Sequence, residues 1–218
     1  MSKSLVSSPV IKRLPRYYRF LGDLESQGIV RISSRELSQR MGLTASQIRQ
    51  DLNCFGGFGQ QGYGYNVSEL REAVRDILGV NAGNKAILIG AGNLGRAVTA
   101  HIDFPKRGFE LIGIFDSDPD KIGKTMSGIS ISNVNTLEEF CSKNEPVCAI
   151  LCIPKDAAEK LAPKLIASGV KGFWNFSHYD FKPDDDVVVE NVHLADSLMT
   201  LAYGLNNYSE DSAEKSEK

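Results

Sequence analysis

The chain has 218 residues, a formal net charge of −2 and 42% hydrophobic residues. A chain of this length can bury one good hydrophobic core and a smaller second one, so we expect two domains. No apolar run approaches the roughly 20 residues that a membrane-spanning helix needs, and no signal-peptide core stands at the N-terminus. These observations argue against a membrane partner and predict a cytoplasmic protein.

Charge is divided unevenly along the chain. Residues 1–80 carry 11 Lys and Arg against 7 Asp and Glu, a balance of +4. The remaining residues carry 14 against 20, a balance of −6. Such a division is typical of a nucleic-acid-binding module joined to a domain that does not touch nucleic acid.

The four cysteines do not have the spacing of a zinc site. They stand at positions 54, 141, 148 and 152. Cys148 and Cys152 share a strand face but lie too far apart along the strand to form a disulfide. We therefore predict no metal site and four buried, reduced thiols.

The first predicted element is a helix that begins at Arg13 and ends at Gly28. Its apolar residues recur at helical spacing, and Pro15 is tolerable in a first turn. These residues are Leu14, Tyr17, Tyr18, Leu21 and Leu24. We expect residues 1–12 to lie outside the helix and to be mobile.

Two short helices follow. Ser33-x-x-Glu36 is a capping box that starts the first, and Thr44-x-x-Gln47 starts the second. Gly42 supplies the sharp turn between them. Two helices at this tight spacing predict a helix-turn-helix.

Glycines and aromatic residues alternate between Phe55 and Tyr65. Glycines permit tight bends, and the aromatic rings can hold one face of a ribbon against the helices, so we predict a β-hairpin. Helix-turn-helix and hairpin together form a winged helix. Ser68 is predicted to cap one further helix, and residues 79–84 are expected to link the two domains.

In a winged helix, the second helix of the pair enters the major groove of DNA. This predicts that residues 45–53 read bases and that nearby polar side chains meet phosphates. The predicted DNA contacts are Arg13, Arg16, Ser34, Thr44, Ala45, Gln47, Arg49, Gln50, Asn53, Gln61 and Tyr63, with Arg19, Arg35 and Gln60 as further phosphate contacts. The alternative is that these arginines form an ordinary solvated surface.

A glycine-rich turn follows the apolar run Ala86–Ile89, which is predicted to be a buried parallel strand. The turn reads Gly90-Ala91-Gly92-Asn93-Leu94-Gly95, and helical spacing begins at Leu94. Gly90 would permit the tight turn, Gly92 the close approach of backbone to phosphates, and Gly95 the packing of helix on strand. A pyrophosphate can rest on the helix N-terminus. The alternative is a glycine-rich turn without a ligand.

A second predicted strand, Phe109–Phe115, ends at Asp116. This carboxylate stands about 20 residues beyond the glycines, where it can meet the adenine ribose hydroxyls of a dinucleotide. It would repel a 2′-phosphate, so NAD and NADH are favoured over their phosphorylated forms. Lys121 and Lys124 weaken that exclusion.

Strands and helices continue to alternate after Asp116. We predict strands at 129–131, 147–153 and 171–176 and an edge strand at 187–189, with helices led by Thr136 and Ala157. Ile153, Pro154, Asn175 and Phe176 leave the carboxyl ends of strands, where α/β sheets bind ligands, and are expected to wall the nicotinamide. The predicted fold class is α/β: an N-terminal winged helix followed by a Rossmann-type, doubly wound parallel sheet.

The last predicted helix, Val192–Leu205, is apolar on more than one face. Such a helix must be buried on two sides, which predicts insertion into a second subunit. The alternative is packing against its own sheet. The predicted organisation is 1–80 winged helix, 81–190 dinucleotide domain, 191–206 exchanged dimerisation helix and 207–218 disordered tail.

Together these motifs resemble the Rex family of redox-sensing transcriptional repressors of bacteria, over roughly Pro9 to Leu205. The main carriers are Arg13-Leu14-Pro15-x-Tyr17-Tyr18, Arg31-Ile32-Ser33-Ser34-x-Glu36-Leu37, Ile48-Arg49-x-Asp51-Leu52, Phe55-Gly56-x-Phe58-Gly59, the turn Gly90–Gly95 and Phe115-Asp116-x-Asp118-Pro119-x-Lys121-Ile122-Gly123. Lys171-Gly172-x-Trp174-Asn175-Phe176 and the helix start Leu194-Ala195 also match. The resemblance implies a homodimer on palindromic operator DNA, with NAD(H) as effector in each Rossmann domain and C-terminal helices exchanged between subunits. It further implies that NADH, but not NAD, releases the DNA.

The chain departs from the family pattern at several positions. Family members usually carry basic residues where Gln50, Gln60 and Gln61 stand, which predicts weaker binding or a shifted operator sequence. Many members have Tyr at His101 and Asp at His193, two groups linked through Arg16 in the switch. One hypothesis is that His101 and His193 of opposing subunits meet near the nicotinamide and make the response depend on pH between about 5.5 and 7.5. The alternative is that both are ordinary interface residues.

The residues also bear on two rival functions. A dehydrogenase of the Tyr-x-x-x-Lys type is disfavoured, because none of the 7 tyrosines has a lysine four residues later. No substrate domain follows the nucleotide half, so we expect no enzyme. A binder of coenzyme A or another adenine nucleotide is the second rival, and Asp116 favours NAD over it.

Overall fold

The computed structural model of the chain describes residues 6–60, 63–182 and 185–216. The chain divides into two compact units, of which the first runs to Ala82 and includes Lys106–Gly108. The second comprises Gly83–Pro105 and the chain from Phe109 onward. Over the described ranges, no helix combines the length and the apolar character needed to cross a membrane.

The first unit is a helix-turn-helix with a small antiparallel sheet. Its elements are α1 Ser8–Ser26, β1 Arg31–Ile32, α2 Ser34–Met41, α3 Ala45–Asn53, β2 Gly59–Gln60, β3 Gly64–Asn66 and α4 Val67–Ile77. The strands lie in the order β1-β3-β2. A core of Leu, Ile, Val, Met and Tyr side chains joins the four helices, so the predicted winged-helix architecture is confirmed.

Local chemistry explains why these elements start where they do. Ser33 forms a complete capping box with Glu36, and the Thr44 hydroxyl accepts a hydrogen bond from the Gln47 N–H at 3.1 Å. Gly64 has φ +70° in the hairpin, and a Cβ there would lie 2.6 Å from the Ile32 carbonyl oxygen. Only glycine fits that position without a shift of backbone.

Three details of the first unit differ from expectation. Helix α1 begins at Ser8 instead of Arg13, because Pro9 is suited to a first turn, and Pro15 lies inside the helix. Asn66, not Ser68, caps α4: its side-chain oxygen accepts from the Glu69 N–H. Strand β1 was not predicted, since two residues carry no periodic pattern.

The second unit is a seven-stranded sheet with helices on both faces. Its elements are β4 Asn84–Ile89, α5 Asn93–His101, β5 Phe109–Asp116, β6 Thr125–Met126, β7 Ile129–Asn133, α6 Leu137–Asn144, β8 Cys148–Leu151, α7 Lys155–Ala167, β9 Gly172–Asn175, β10 Val188–Asn191 and α8 Leu194–Ser216. The strand order is β10-β9-β8-β4-β5-β7-β6. All neighbours pair in parallel except β6 and β7, so the predicted doubly wound sheet is confirmed.

Alternate residues of the central strands enter two different cores. Ile87 and Ile89 of β4 pack in one core with residues of α6 and α7, whereas Leu88 packs in the other with residues of α5. The strand order reverses between β4 and β8, which are neighbours although the chain visits β5 to β7 in between. A reversal of this kind opens a crevice at the carboxyl ends of the two strands.

Several details of the second unit differ from expectation. Strand β6 was not predicted, and β8 and β9 are shorter than their apolar runs. Thr136 stands before α6 as expected, but its hydroxyl donates to the Asn133 carbonyl oxygen at 2.8 Å and does not cap the helix.

Helix α8 extends much further than predicted. It runs from Leu194 to Ser216, so residues 207–216, expected to belong to a disordered tail, are helical. Every residue from Leu194 to Tyr208 is exposed. Over this part, the side chains of α8 are therefore largely open to solvent in the single chain.

The cysteines are free thiols of two kinds. Cys141 and Cys148 are buried and Cys152 is half-buried, but Cys54 is exposed, which corrects the expectation of four buried thiols. Burial raises the pKa of Cys148 to about 11 and that of Cys152 to about 12. These two thiols stay protonated and unreactive at neutral pH.

Candidate nucleotide site and nucleic-acid interface

The turn that follows β4 is shaped by two glycines that the protein itself requires. Gly90 has φ +102°, and a Cβ there would lie 2.8 Å from Ile153 Cγ2. A Cβ at Gly95 would overlap the Gly90 carbonyl oxygen. The Gly90 N–H donates to the Phe115 carbonyl oxygen at 2.8 Å, which ties the turn to β5.

Gly92 is different, because nothing in the protein forbids a side chain there. Among the described residues, no atom beyond the adjoining backbone lies within 4 Å of a Cβ built at Gly92, and its φ of −79° suits any residue. Gly92 is the N-cap of α5, and no side chain caps that helix end. The first turn of α5 thus begins without a side-chain cap and beside an open position, and helix starts of this kind can bind phosphate groups.

Asp116 lies at the end of β5 and holds the glycine turn in place. Its Oδ2 accepts from the Ala91 N–H at 2.7 Å, and its Oδ1 accepts from the Asp118 N–H at 2.9 Å. Burial acts to raise the pKa of Asp116, but these two bonds and the nearby Lys121 outweigh it and leave the pKa below its ordinary value. The carboxylate is therefore charged at neutral pH.

Lys121 stands between two carboxylates. Its Nζ lies 3.2 Å from Asp116 Oδ2 and 3.3 Å from Asp118 Oδ2. The hydrogen bond to Asp116 is the largest of the effects that raise the pKa of Lys121. The cluster of these three side chains carries one net negative charge beside the glycine turn.

The residues predicted to line the nicotinamide lie in different surroundings. Ile153 lies against the glycine turn, as its approach to Gly90 shows, and the exposed Pro154 is the N-cap of α7. Phe176 is half-buried and packs edge-to-face on Trp174, with ring centroids 4.8 Å apart. Ile153 is thus the predicted wall residue whose approach to the turn the structure shows.

The side chain of Asn175 makes its hydrogen bonds within the protein. It is fully buried, and its amide group donates to the Tyr179 carbonyl oxygen and to Asn191 Oδ1, both at 2.8 Å. Its Oδ1 accepts from the Ser177 N–H and from the Ser177 hydroxyl. These four bonds use the full capacity of the amide, so Asn175 fixes the loop after β9 to the end of β10.

The two histidines of the switch hypothesis lie in different places. His101 ends α5 and is exposed. His193 precedes α8, stacks on His178 with ring centroids 4.4 Å apart and has Nδ1 3.5 Å from Asp196 Oδ2. Sequence reasoning missed His178, because a stacking partner 15 residues away leaves no local signal.

The predicted base-reading residues lie on α3. Arg49, Gln50 and Asn53 are exposed, whereas Ala45 and Gln47 are half-buried. Ile48 and Leu52 face the core, as expected. The exposed residues therefore occupy the free side of the helix.

Three arginines among the predicted DNA contacts make hydrogen bonds within the protein. Arg49 donates to the Ser34 hydroxyl at 3.1 Å. Arg13 donates to both carboxylate oxygens of Asp51, each at 2.7 Å, and Arg16 donates to the Met41 carbonyl oxygen. Arg13 thus binds Asp51, and its contact with a phosphate stays a prediction.

In the hairpin, Tyr63 is 69% exposed. The guanidinium of Arg31 lies over its ring, 6.0 Å from the centroid. Gln61 lies outside the described residues, and of Gln60 only the backbone is described. Of the predicted contacts in the hairpin, Tyr63 is therefore the residue whose side chain the structure describes.

Two family models match the two parts of the chain. The model described as "Putative DNA-binding protein N-terminus" matches residues 5–53. The model described as "CoA binding domain" matches residues 81–179.

Curated relatives match the chain almost from end to end. The redox-sensing transcriptional repressor Rex of Thermoanaerobacter sp. (strain X514) is 53% identical over 204 residues, which are 94% of this chain and 91% of that protein. Rex of Caldicellulosiruptor saccharolyticus is 50% identical over 216 residues, 99% of each chain. Both names are those of transcriptional repressors and not of enzymes.

Solved structures give the same result. The crystal structure of RSP in complex with β-NAD+ and operator DNA has a TM-score of 0.88 and 51% identity over 99% of each chain. The structure of RSP with β-NADH has a TM-score of 0.87 and 48% identity, covering 99% of this chain and all of that one. Identity at this level over nearly the whole length shows that the chain belongs to the Rex family of redox-sensing transcriptional repressors.

Proposed function

We propose that this protein is a homodimeric repressor that binds palindromic operator DNA and leaves it when NADH occupies its second unit. The observation that carries the proposal is the uncapped start of α5 beside Gly92. The open space there is unexplained by the protein's own packing but fits a pyrophosphate. The helix-turn-helix of the first unit supplies the DNA-binding half.

We assign the dinucleotide to the turn Gly90–Gly95. The backbone N–H groups at the start of α5 would hold the pyrophosphate, and Asp116 with Lys121 would meet the adenosine ribose. Ile153, Pro154 and Phe176 would line the nicotinamide end, while Asn175 acts indirectly by fixing the loop that carries Phe176.

The preference for NADH over NAD follows from charge. The oxidised ring is cationic and the reduced ring is neutral, so a pocket closed by apolar side chains costs the oxidised form more desolvation. Each tenfold preference for one ring shifts the balance between two states of the dimer by about 1.4 kcal/mol. A preference of a few tens-fold for the reduced ring is enough to release the operator, given the usual size of the coupling free energy between two sites.

DNA reading is assigned to the exposed side of α3. Gln50, Asn53 and Arg49 would reach base edges in the major groove, and Tyr63 with Gln61 would follow the backbone beside it. Two such helices must be separated by roughly 34–36 Å to meet successive major grooves. A change in that separation would release the DNA.

The second subunit is proposed to cover α8. Its large apolar side chains are exposed in the single chain, and an exchanged helix is the simplest way to bury a helix on several sides. They are Leu194, Leu198, Met199, Leu201, Tyr203, Leu205 and Tyr208. Because a repressor acts on the bacterial chromosome, we place the protein in the cytoplasm.

Coenzyme A is the second candidate ligand, because the family model for residues 81–179 carries that name. Coenzyme A and NADP both carry a phosphate on the adenosine ribose. The net negative charge of the Asp116, Lys121 and Asp118 cluster disfavours such a phosphate. NAD and NADH, which lack it, suit this cluster better, and calorimetric titration with each nucleotide distinguishes them.

The proposal is tested with an operator selected from a randomised duplex library by the full-length protein. Fluorescence anisotropy then measures operator binding with saturating NAD and with saturating NADH. We expect NADH to weaken binding at least tenfold and NAD to leave it nearly unchanged. Equal occupancy with both nucleotides would contradict the proposal.

A further inference from the structure

We propose that Asp51 of α3, held by Arg13 and Tyr17 of α1, is a positioning residue that fixes the orientation of the DNA-reading helix. The inference rests on the proposed function, since it concerns the same DNA interface. It assigns to three residues a role in operator recognition without any contact with DNA.

Asp51 is unusual because it is a charged residue inside the core of the first unit. It is only 2% exposed. Both of its oxygens accept from the Arg13 guanidinium at 2.7 Å, and Oδ2 also accepts from the Tyr17 hydroxyl at 2.9 Å. We call these three side chains the α1–α3 clamp.

The geometry of the clamp restricts rotation of α3. A guanidinium that binds a carboxylate through two parallel bonds fixes both distance and plane. Tyr17 is fully buried, so its ring cannot follow a displaced carboxylate. Each residue turns an α-helix by about 100°, so Gln50 and Asn53, three residues apart, lie on the same side of α3. A modest rotation of α3 about its axis would therefore move both side chains away from the base edges that they are proposed to contact.

The clamp has a neighbour on α1 that acts on the other helix of the pair. Arg16 donates to the carbonyl oxygen of Met41, the last residue of α2. Arg13, Arg16 and Tyr17 are spaced by three and four residues, which places them on one side of α1. Polar bonds from one face of α1 thus reach both α2 and α3.

Hydrophobic packing alone does not require this charge. Ile48 and Leu52 already attach α3 to the core, and a buried ion pair is weak evidence for stability because desolvation opposes its attraction. Directional bonds do what apolar contacts cannot, since they distinguish one orientation of the helix from its neighbours. Burial and the bond to Asp51 raise the pKa of Tyr17, so its hydroxyl remains a donor at neutral pH.

The inference predicts an effect opposite in sign to simple electrostatics. An acidic residue on a helix that meets phosphates should weaken DNA binding, so Asp51→Asn should strengthen it if charge alone mattered. If the clamp positions α3, Asp51→Asn weakens operator binding instead. The sign of the change separates the two explanations.

The experiment measures binding of the full-length protein to the selected operator and to a duplex without it, over a range of salt concentrations. Asp51→Asn and Arg13→Met should each lower operator affinity at least tenfold, change non-specific affinity less than threefold and leave the salt slope unaltered. The double variant should lose little more than either single one, because both remove the same interaction. Arg35→Met is the matched control: Arg35 is exposed on α2, and its loss should make the slope shallower by about 0.9 without changing the ratio of specific to non-specific binding.

Tyr17→Phe keeps the ion pair and removes only the hydroxyl, so it provides the decisive measurement if Asp51→Asn does not fold. It should reduce the specific to non-specific ratio severalfold at a temperature where circular dichroism shows the protein folded. The inference is overturned if Asp51→Asn binds operator as well as or better than wild type. It is also overturned if Tyr17→Phe leaves the ratio of specific to non-specific affinity unchanged. A salt slope that becomes shallower by about 0.9 in Arg13→Met, which is the result for a phosphate contact, overturns it too. If the wild-type protein selects no operator, the proposed function is overturned together with the inference about the clamp. If the wild-type protein binds its operator and responds to NADH while a variant gives one of the contrary results, only the inference about the clamp is overturned.

Discussion

Asp116 has less freedom to bind a ligand than its position in the sequence implies. An ionised carboxylate offers about four acceptor sites, and Ala91, Asp118 and Lys121 occupy three of them. At most one site remains for a ribose hydroxyl. Much of the importance of Asp116 therefore lies in holding the glycine turn against β5.

This role predicts an acid-dependent loss of stability. The pKa of Asp116 is lower in the folded protein than the ordinary value of about 3.9. The carboxylate thus contributes stability above about pH 4, and that stability is lost as pH falls through the folded pKa. Asp116→Asn should lower the free energy of unfolding at pH 7 and flatten its decline below about pH 4.

Urea unfolding followed across this pH range measures the effect. The exposed Asp120, two residues beyond Asp118, is a suitable control, and Asp120→Asn should unfold like wild type throughout. A variant at Asp116 whose stability falls in acid as steeply as that of wild type would refute the assignment.

The glycines of the turn separate packing from ligand binding. Gly95→Ala should destabilise the second unit, because its Cβ would overlap the Gly90 carbonyl oxygen. Gly92→Ala meets no atom within 4 Å, so it should unfold like wild type but bind NADH at least tenfold more weakly, since a methyl group would stand where the phosphates approach.

Differential scanning calorimetry and NADH titration of the two variants provide the comparison. Unchanged NADH affinity in Gly92→Ala would show that the open space does not hold the pyrophosphate. The same variant should retain operator binding but lose its response to NADH.

Backbone requirements were easier to predict than side-chain partners. The roles of Gly90 and Gly95 follow from chain geometry that any strand-to-helix turn imposes. The side-chain partners of Asn175 escaped prediction because Tyr179 and Asn191 are brought to it by a loop and by a neighbouring strand. The bond between Arg13 and Asp51 escaped prediction for the same reason, since Asp51 lies 38 residues away.

At the scale of elements, α8 is the feature that a single chain leaves incomplete. Leu198 and Leu201 are 66% and 56% exposed, and burying such a side chain contributes about 1.5–3 kcal/mol. Leu198→Asp with Leu201→Asp should therefore abolish dimerisation and, with it, tight operator binding.

Sedimentation velocity at micromolar concentration reports the oligomeric state. Thr200, which is exposed between these leucines, provides the control, and Thr200→Ser should remain dimeric. A dimer that survives both aspartates would place the subunit contact elsewhere.

Element boundaries show where sequence patterns lose their power. Elements with a clear apolar pattern lie close to where they are predicted: β4, predicted at Ala86–Ile89, runs from Asn84 to Ile89, and α7, predicted to begin at Ala157, begins at Lys155. Strands β1 and β6 have two residues each, too few for a period. The end of α8 was missed because its last residues are polar, and polar composition does not distinguish a solvated helix from a disordered tail.

At the scale of the whole molecule, the excess of positive charge lies in the part of the chain that is expected to bind DNA. Residues 1–80 carry a balance of +4 and the remainder −6. Each additional phosphate contact should steepen the dependence of log affinity on log salt concentration by about 0.9. Gln61→Arg should produce that change and strengthen operator binding at low salt.

Operator titrations between about 50 and 200 mM salt measure the slope. Gln27→Arg adds the same charge at the end of α1 and should leave the slope close to that of wild type. If Gln61→Arg leaves both slope and operator preference unchanged, the wing does not follow the phosphates.

The exposure of α8 also has a genetic consequence. A subunit with a damaged α3 would keep its C-terminal helix intact and would still associate with a healthy subunit. In a cell that makes both versions, most dimers would then contain at least one faulty reading head and would fail on a palindrome. Such an allele should behave as dominant negative, and removal of α8 from the faulty subunit should make it recessive.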